Sequence, residues 1–201
     1  MLVNTSIYGG FVMTRVVLLG DSIRKIGYGP RVPMMLGDGY EVYQPDDNCR
    51  FAKYTLRGVL HDWKGNIEGC DIVHWNNGLW DICDLGDGVF TDPEEYVTNM
   101  LRIAAALQKM AKKVIFATTT PVIDGHPFNK NETIEAYNRL IIPKLQEMGI
   151  VINDLHGLVM PQVSTYIRED DQIHLTEAGI EACSEQTAEA IRRAAAELGL
   201  A

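Results

Sequence analysis

Short runs of β-branched and leucine residues alternate along this chain with helical patterns, and this alternation restricts the fold more than any other feature. The runs lie at residues 16–19, 40–43, 72–75, 114–117 and 150–152. Parallel strands need long crossover connections, and those crossovers place helices on both faces of the sheet. The pattern therefore predicts an α/β protein: a three-layer α/β/α sandwich around a five-stranded parallel, flavodoxin-like sheet.

Capping residues mark the boundaries of the predicted helices. Asp92 followed by Pro93 is a preferred helix start, and the helix is expected to run to about residue 111, with the lysines at 112–113 near its negative end. Thr176 is the predicted cap of a last helix that continues to about residue 198. The other helices are predicted at 53–63 and 131–148.

Length and composition indicate one domain. The chain has 201 residues, enough for a sizeable core, and no proline-rich linker or internal repeat divides it. Residues 14–201 are predicted to form a single domain. Residues 1–13 are predicted to be an N-terminal extension, or Met13 to be the true start, and the pattern leaves both open. Because residues 1–13 lack the features of a signal peptide, a cytoplasmic location is expected.

Charge and cysteine content exclude several partners and cofactors. The net charge of −9 argues against nucleic acid and against an anionic membrane surface. The apolar stretches fall short of the roughly 20 residues that a membrane-spanning helix needs. Neither the histidines nor the cysteines show metal-ligand spacing, so no metal and no other cofactor is predicted. The cysteines, expected to be reduced, are Cys49, Cys70, Cys83 and Cys183.

Two polar motifs lie where an open α/β sheet carries its chemistry. Gly20-Asp21-Ser22 follows the first strand, so the Ser22 hydroxyl is expected at the carboxyl edge of the sheet. Asp171 and His174 are three residues apart, close enough for the carboxylate to hold the imidazole. Together these residues supply the nucleophile, base and orienting group of a hydrolase triad. Each motif alone has an ordinary explanation as a turn or a helix cap.

A third motif, Trp75-Asn76-Asn77-Gly78, follows the third strand. With the three motifs in this order, the sequence resembles the SGNH branch of the GDSL hydrolases over nearly the whole chain. The family's nucleophile matches Ser22, its oxyanion-hole asparagine matches Asn77, and its catalytic pair matches Asp171 and His174. The resemblance implies that His174 takes the proton from Ser22 as the serine attacks an ester carbonyl, while Asp171 orients the imidazole.

Two departures from the family pattern concern the oxyanion hole. The family's Gly-x-Asn-Asp reads Trp-Asn-Asn-Gly at 75–78, and no glycine is obvious in the second block. If Asn48 opens that block, the glycine position falls near Lys53. A backbone N–H can come from any residue except proline, so the resemblance implies oxyanion donors from Ser22, Asn77 and Lys53.

The predicted substrate-binding residues are Asp21, Arg50 and Trp80. Trp80 lies in a glycine-rich loop after Asn77, where its ring would stack on a sugar or pack the loop onto the core. Asp21 has the alternative role of fixing its turn.

Since the resembled family includes enzymes that remove O-acetyl groups from carbohydrates, the expected function is a serine esterase acting on a small-molecule ester, with such a group as the favoured substrate. Thioesterase or lysophospholipase activity within the family stays open. So does a non-catalytic, flavodoxin-like protein that binds a phosphorylated ligand through residues 20–29, although this segment lacks the motif of a phosphate-binding loop. The sequence does not indicate an oligomeric state.

Overall fold

The computed structural model describes residues 7–8 and 11–200, and its centre is a parallel sheet of five strands. A two-stranded antiparallel pair, β1 and β2, precedes the sheet, whose strands lie in the order β4-β3-β5-β6-β7. This order confirms the predicted flavodoxin-like parallel sheet. The strands are β1 (Ile7–Tyr8), β2 (Phe11–Val12), β3 (Thr14–Leu19), β4 (Tyr40–Tyr43), β5 (Cys70–Asn76), β6 (Ala111–Ala117) and β7 (Val151–Asn153).

Helices cover both faces of the sheet, which confirms the three-layer α/β/α sandwich. The helices are α1 (Val32–Leu36), α2 (Ala52–Arg57), α3 (Lys64–Ile67), α4 (Pro93–Met110), α5 (Asn131–Glu147), α6 (Leu155–Val159), α7 (Val163–Tyr166) and α8 (Glu177–Glu197). One group of helices has α8 packed against α1, and the other has α4 packed against α2 and α5. Sandwiched between two helical layers, the sheet forms a fixed platform for the loops at its edges.

The core is centred on the middle of the sheet. All seven residues of β5 are buried, and the rings of Trp75 and Phe116 lie 4.9 Å apart across β5 and β6. The neighbouring strand β3 buries the apolar run from Val16 to Leu19. A strand covered on both faces needs apolar side chains in succession instead of an alternating pattern, which is why these runs were recognisable in the sequence.

The predicted helix caps form as expected. The Asp92 Oδ1 accepts from the N–H groups of Glu94 and Glu95, each at 3.0 Å, and Pro93 is the first residue of α4. At α8, the Thr176 Oγ1 accepts from the Gly179 N–H at 3.1 Å. Both side chains satisfy N–H groups that a helix start leaves without partners.

One predicted boundary is confirmed and another is wrong. The helix expected over 53–63 is confirmed: α2 continues as a wider helical turn, Gly58–Asp62. The Trp63 ring packs over Gly58, where an added Cβ would lie 2.2 Å from it. Strand β6 begins at Ala111 rather than 114, so Lys112 and Lys113 belong to the strand and not to a helix end. Ion pairs explain these charged strand residues: the Lys112 Nζ lies 2.7 Å from the carboxylate of Asp71 in β5, and the Lys113 Nζ lies 2.6 Å from that of Glu197 in α8.

The predicted extension over residues 1–13 falls partly outside the described residues. Within it, Ile7 is paired with Val12, and Tyr8 with Phe11. Across residues 11–200, no helix combines the length and the apolar character that crossing a membrane requires.

Candidate active site

The first two motifs meet at the carboxyl edge of the sheet. Leu19 at the end of β3 pairs with Trp75 in β5, which places Gly20 beside Asn76. The approach is so close that a Cβ on Gly20 would lie 2.0 Å from the Asn76 Oδ1. Glycine is therefore required before Asp21 and Ser22, and the chain turns there into a helical turn, Ile23–Tyr28.

Ser22, His174 and Asp171 form a continuous hydrogen-bonded chain. The His174 Nε2 lies 2.8 Å from the Ser22 Oγ, and the His174 Nδ1 lies 3.0 Å from the Asp171 Oδ2. An ionised carboxylate only accepts, so the proton of the neutral imidazole is on Nδ1 and Nε2 is free to accept from the serine hydroxyl. The three residues predicted for a triad are thus in contact, with the polarity that general-base activation of a serine needs.

A closed loop presents the aspartate and the histidine. Ile167 and Leu175 form an antiparallel bridge at its base, and the Arg168 N–H donates to the His174 carbonyl at 2.8 Å. At its tip Gln172 has a φ of 62°, a left-handed conformation that turns the chain sharply. The loop therefore brings a segment distant in sequence over the edge that carries Ser22.

The Asp171 carboxylate is held in its charged form. Partial burial raises its pKa, but the N–H groups of Ile173 and His174, at 3.1 and 2.9 Å from Oδ1, and the imidazole at Oδ2 together hold the pKa below its ordinary value. The Arg168 Nε lies 3.6 Å from Oδ2. Because Oδ1 is fixed by the backbone, Oδ2 is aimed at the imidazole.

Asp21 lies behind Ser22, buried, and this position corrects the prediction that it binds substrate. Its Oδ1 accepts from the Ile23 N–H and from the Asn76 Nδ2, both at 2.9 Å. Burial raises the pKa of Asp21, and the hydrogen bonds from Asn76 and Ile23 offset only part of the rise. Tyr28 completes this network by donating to the Asn76 Oδ1 at 2.8 Å. Asp21 therefore fixes the turn that carries the serine.

A buried guanidinium, that of Arg24, ties the second block to this turn. The Arg24 side chain is 1% exposed and donates to the carbonyls of Gly20, Pro45 and Asp47 at 2.6–3.2 Å. Arginine donors are spread in a fixed fork, so one side chain can hold several carbonyls. Arg24 thereby positions the segment that leads to Asn48.

The side chain of Asn77, the predicted oxyanion donor, has no free N–H group. Its Nδ2 donates to the Arg50 carbonyl at 2.8 Å and to the Thr55 Oγ1 at 2.9 Å, and the side chain is completely buried. An amide nitrogen has two hydrogens, and both are used. This corrects the prediction for the Asn77 side chain, which holds the second block in place instead.

The second-block residues lie in the segment that follows Asn48. The Lys53 N–H is in the first turn of α2, where it finds no acceptor among residues 11–200, and the Lys53 Nζ pairs with Glu95 at 2.8 Å. Arg50 is exposed, has a φ of 50°, and stacks its guanidinium 4.9 Å from the centre of the Tyr54 ring. Its predicted contact with substrate stays a prediction.

Asn48 has a free amide NH2 group in the cleft beside the serine. It lines the same cleft as Ser22, and its Oδ1 accepts from the Arg50 N–H at 2.8 Å, which leaves its Nδ2 without a partner in the described chain. The Ser22 N–H likewise finds no acceptor there. The Ser22 N–H and the Asn48 Nδ2 are therefore free to donate at this cleft, whereas Lys53 does not line it, and its predicted role as an oxyanion donor stays a prediction.

A largely apolar cleft of about 470 Å³ opens beside Ser22 and His174. Trp80, predicted to contact substrate, lines it. Several apolar side chains in this cleft were not recognised from the sequence, because they lie in loops without a periodic pattern: Leu79, Leu85, Phe90, Phe128 and Ile173. Four of the lining side chains are 40–59% exposed, namely Trp80, Leu85, Phe90 and Phe128. Such a concentration of exposed apolar side chains is typical of a binding surface.

A second cleft of about 310 Å³ also borders Ser22 and His174. Ile26 and Ile180 give it apolar walls, and Arg168 and Glu177 give it charge. An ester has an acyl group on one side of the reacting carbon and an alcohol on the other. The two clefts offer separate space for each.

The segment considered for a phosphorylated ligand offers little to bind one. Within residues 20–29, the Arg24 guanidinium is buried against carbonyls, and the Lys25 Nζ lies 3.3 Å from the Asp46 carboxylate. Nor do residues 11–200 contain a group of three or more His, Cys, Asp or Glu side chains suited to a metal ion.

Comparison with known proteins connects this geometry to solved structures. The sequence matches no family model and no curated protein. The acetyl xylan esterase AlAXEase superposes with a TM-score of 0.75 at 19% identity, covering 88% of this chain and 99% of its own. A catalytic mutant of an acetylxylan esterase from Geobacillus stearothermophilus gives a TM-score of 0.72 at 16% identity, covering 88% and 93%.

A lipase/acylhydrolase from Enterococcus faecalis gives a TM-score of 0.73 at 18% identity, covering 89% of this chain and 95% of its own. A GDSL-like lipase from Bacteroides thetaiotaomicron is also similar, with a TM-score of 0.69 at 18% identity, covering 90% and 89%. At these identities the comparison establishes architecture. The chain has the three-layer α/β/α fold of the SGNH/GDSL hydrolases.

Proposed function

We propose that this protein is a serine esterase in which Ser22 is the nucleophile, His174 the general base and Asp171 the orienting carboxylate. One observation carries the proposal: the hydrogen-bonded chain from the Ser22 Oγ through both His174 nitrogens to the Asp171 Oδ2, at 2.8 and 3.0 Å. The fold shared with esterases and lipases supports it. A purely structural role would not require a half-buried histidine to join a serine to a carboxylate beside two clefts.

The reaction follows from the protonation states. As the Ser22 Oγ attacks the ester carbonyl, its proton passes to the His174 Nε2, and the Asp171 carboxylate stabilises the imidazolium. The imidazolium returns the proton to the departing alcohol, leaving an acyl group on Ser22. Water then attacks the acyl carbon, again losing a proton to Nε2, and the carboxylic acid is released with Ser22 restored.

The tetrahedral intermediates need donors for the negative oxygen. In this proposal they are the N–H groups of Ser22 and Lys53, joined by the Asn48 Nδ2, which has no partner in residues 11–200 and lines the cleft with Ser22. A single donor of this kind is typically worth about 3 kcal/mol in the transition state. Loss of the Asn48 amide in Asn48→Ala is therefore expected to slow turnover.

We propose an O-acetyl group on a carbohydrate as the substrate. Two of the similar structures are described as acetylxylan esterases, and Trp80, 40% exposed at the rim, can pack against a sugar ring. The net charge of −9 suits a neutral substrate better than an anionic one.

The test compares Ser22→Ala with Ser164→Ala, a change at an exposed serine of α7. Each is assayed on phenyl acetate and on an O-acetylated methyl xylopyranoside, with folding checked by circular dichroism. We expect Ser22→Ala to lose nearly all turnover and Ser164→Ala to keep it. Equal activity of the two variants would overturn the assignment of the nucleophile.

A further inference from the structure

We propose that His126 is a specificity-determining residue that donates a hydrogen bond from Nε2 to an oxygen on the alcohol portion of the ester, so that the cleft selects polyhydroxylated alcohols. The inference rests on the proposed function, since it concerns the substrate of the same site. His126 has no part in the chain of hydrogen bonds through Ser22, His174 and Asp171.

The hydrogen bonds around the ring fix which nitrogen carries the proton. The His126 Nδ1 accepts from the Phe128 N–H at 3.2 Å and from the Asn129 N–H at 3.0 Å. A nitrogen that accepts two N–H groups cannot carry a hydrogen, so the neutral ring is protonated on Nε2 and donates there. Burial lowers the pKa of His126, which keeps the ring neutral near pH 7.

The ring lies at the substrate cleft with its donor unused. His126 lines the 470 Å³ cleft together with Ser22 and His174. Its Nε2 has no hydrogen-bond partner among residues 11–200. The amide of Asn129, another polar side chain of this cleft, already donates to the Leu79 carbonyl at 2.8 Å. His126 is thus one of the few side chains that can donate to a bound molecule on this largely apolar wall.

The loop that carries His126 is anchored on both sides. The Ile123 N–H donates to the Gln172 carbonyl at 2.9 Å, which links the loop to the segment that presents Asp171 and His174. On the other side, the Asp84 N–H donates to the Phe128 carbonyl at 2.9 Å, which links it to the loop of Trp80. Because hydrogen bonds hold this loop on both sides, the His126 donor is in place before substrate binds. Little conformational entropy is then lost when it forms a hydrogen bond to the substrate.

The cleft thus combines apolar ring faces with a fixed donor that the proposed reaction does not use. The exposed faces of Trp80, Phe90 and Phe128 suit the C–H faces of a sugar ring, and the His126 Nε2 suits one of its oxygens. A simple alkyl or aryl alcohol would use the apolar surface but would leave the donor unpaired. Leaving a polar group unpaired at a bound interface costs affinity, which is the basis of the selectivity.

The test uses His126→Asn, because the asparagine Oδ1 can still accept from the N–H groups of residues 128 and 129, as in an Asx turn, while the Nε2 donor is lost. His61→Asn is the matched control, since the His61 side chain is 78% exposed and is bonded only to Asp62 in the described chain. The kcat/KM is measured for an O-acetylated methyl xylopyranoside and for phenyl acetate, which has no further oxygen on its alcohol.

We expect His126→Asn to lower the ratio of the two kcat/KM values, sugar ester over phenyl acetate, by about three- to tenfold, the range for one neutral hydrogen bond. The loss should lie mainly in the KM of the sugar ester, and His61→Asn should leave the ratio unchanged. An unchanged ratio in His126→Asn, or a wild-type protein that hydrolyses phenyl acetate but not the sugar ester, would overturn the proposal. If the wild-type protein hydrolyses neither ester and Ser22 is not labelled by a fluorophosphonate, the proposed function itself fails.

Discussion

Replacing Asp171 by asparagine tests the proposed mechanism, because it changes which nitrogen of His174 carries the proton. The Asp171 Oδ1 accepts from the N–H groups of Ile173 and His174, and an asparagine Oδ1 can accept both in the same way. The substitution therefore alters only the Asp171 Oδ2, which lies 3.0 Å from the His174 Nδ1: an NH2 group, which donates, replaces an oxygen that accepts. Two donors cannot face each other, so the imidazole must move its proton to Nε2. It then donates to Ser22 instead of accepting.

The expected magnitude follows from this reversal. A histidine protonated on Nε2 cannot take the serine proton, and the equivalent change in serine proteases lowers kcat about 10⁴-fold, which corresponds to about 5 kcal/mol in the activation free energy. The loss of stability is expected to be below about 1 kcal/mol, because the backbone hydrogen bonds remain and the Asp171 side chain is 31% exposed. The variant should thus be folded and almost inactive.

Asp170 provides the matched control one residue away. It bonds the Arg168 Nε at 2.9 Å and makes no hydrogen bond to His174. Steady-state hydrolysis of phenyl acetate, with urea unfolding of each variant, compares Asp170→Asn with Asp171→Asn. Asp170→Asn is expected to keep kcat within about twofold. The reasoning is refuted if the folded Asp171→Asn protein keeps more than a tenth of the wild-type kcat, or if both variants lose activity equally.

Further predictions concern residues around the triad. In Gly20→Ala, the added Cβ lies 2.0 Å from the Asn76 Oδ1, so urea unfolding should show a loss of about 1–3 kcal/mol; unchanged stability would mean that the Asn76 amide moves aside without cost. In Asn77→Ala, the Arg50 carbonyl loses its donor, so we expect a loss of about 1–3 kcal/mol in stability and less than a tenfold loss in kcat; a hundredfold kinetic loss at wild-type stability would return Asn77 to the oxyanion hole. Burial raises the pKa of Asp81 to about 7, so the folded state keeps a proton that the unfolded carboxyl loses near its ordinary pKa of 3.8, and stability falls as the pH rises between these values. Asp81→Asn removes this loss, and its free energy of unfolding relative to wild type should rise by about 2–3 kcal/mol from pH 5 to pH 8; a pH-independent difference would contradict the burial argument.

The elements that the sequence predicts best are those fixed by local rules. The buried runs of β3 and β5 were recognisable because the middle of a covered parallel sheet needs successive apolar residues. The Asp92 and Thr176 caps are recognisable because Asp and Thr are residue types whose side-chain oxygens commonly accept from the free N–H groups at a helix start. The strand position of Lys112 is not recognisable from the sequence, because it depends on an ion pair with Asp71, which is distant in sequence.

At the candidate site, sequence and structure agree on residue types and differ on where side chains point. The motifs indicate Ser22, Asp171 and His174, and the antiparallel bridge between Ile167 and Leu175 closes the loop that brings these residues together. Adjacent asparagines such as Asn76 and Asn77 cannot be assigned from sequence, because neighbouring strand residues point to opposite faces.

The cleft is the part of the site that the sequence predicted least. The sequence indicates Trp80, but Phe90 and Phe128 come from loops whose convergence depends on tertiary hydrogen bonds, such as that from the Asp84 N–H to the Phe128 carbonyl. His126 gave no signal in a segment rich in glycine and proline. Its importance comes from two backbone N–H groups that only the folded loop brings to its Nδ1.

The measurement that tests the central claim most directly is covalent trapping of the nucleophile. The protein is incubated with a fluorophosphonate, and the modified residue is located by peptide mass spectrometry, with Ser22→Ala as the comparison. The account predicts one adduct, on Ser22, that disappears in the variant, because the Ser22 Oγ is the one hydroxyl oxygen hydrogen-bonded to the His174 Nε2 among residues 11–200. A folded protein that is not labelled, or an adduct on another residue that persists in Ser22→Ala, would contradict it.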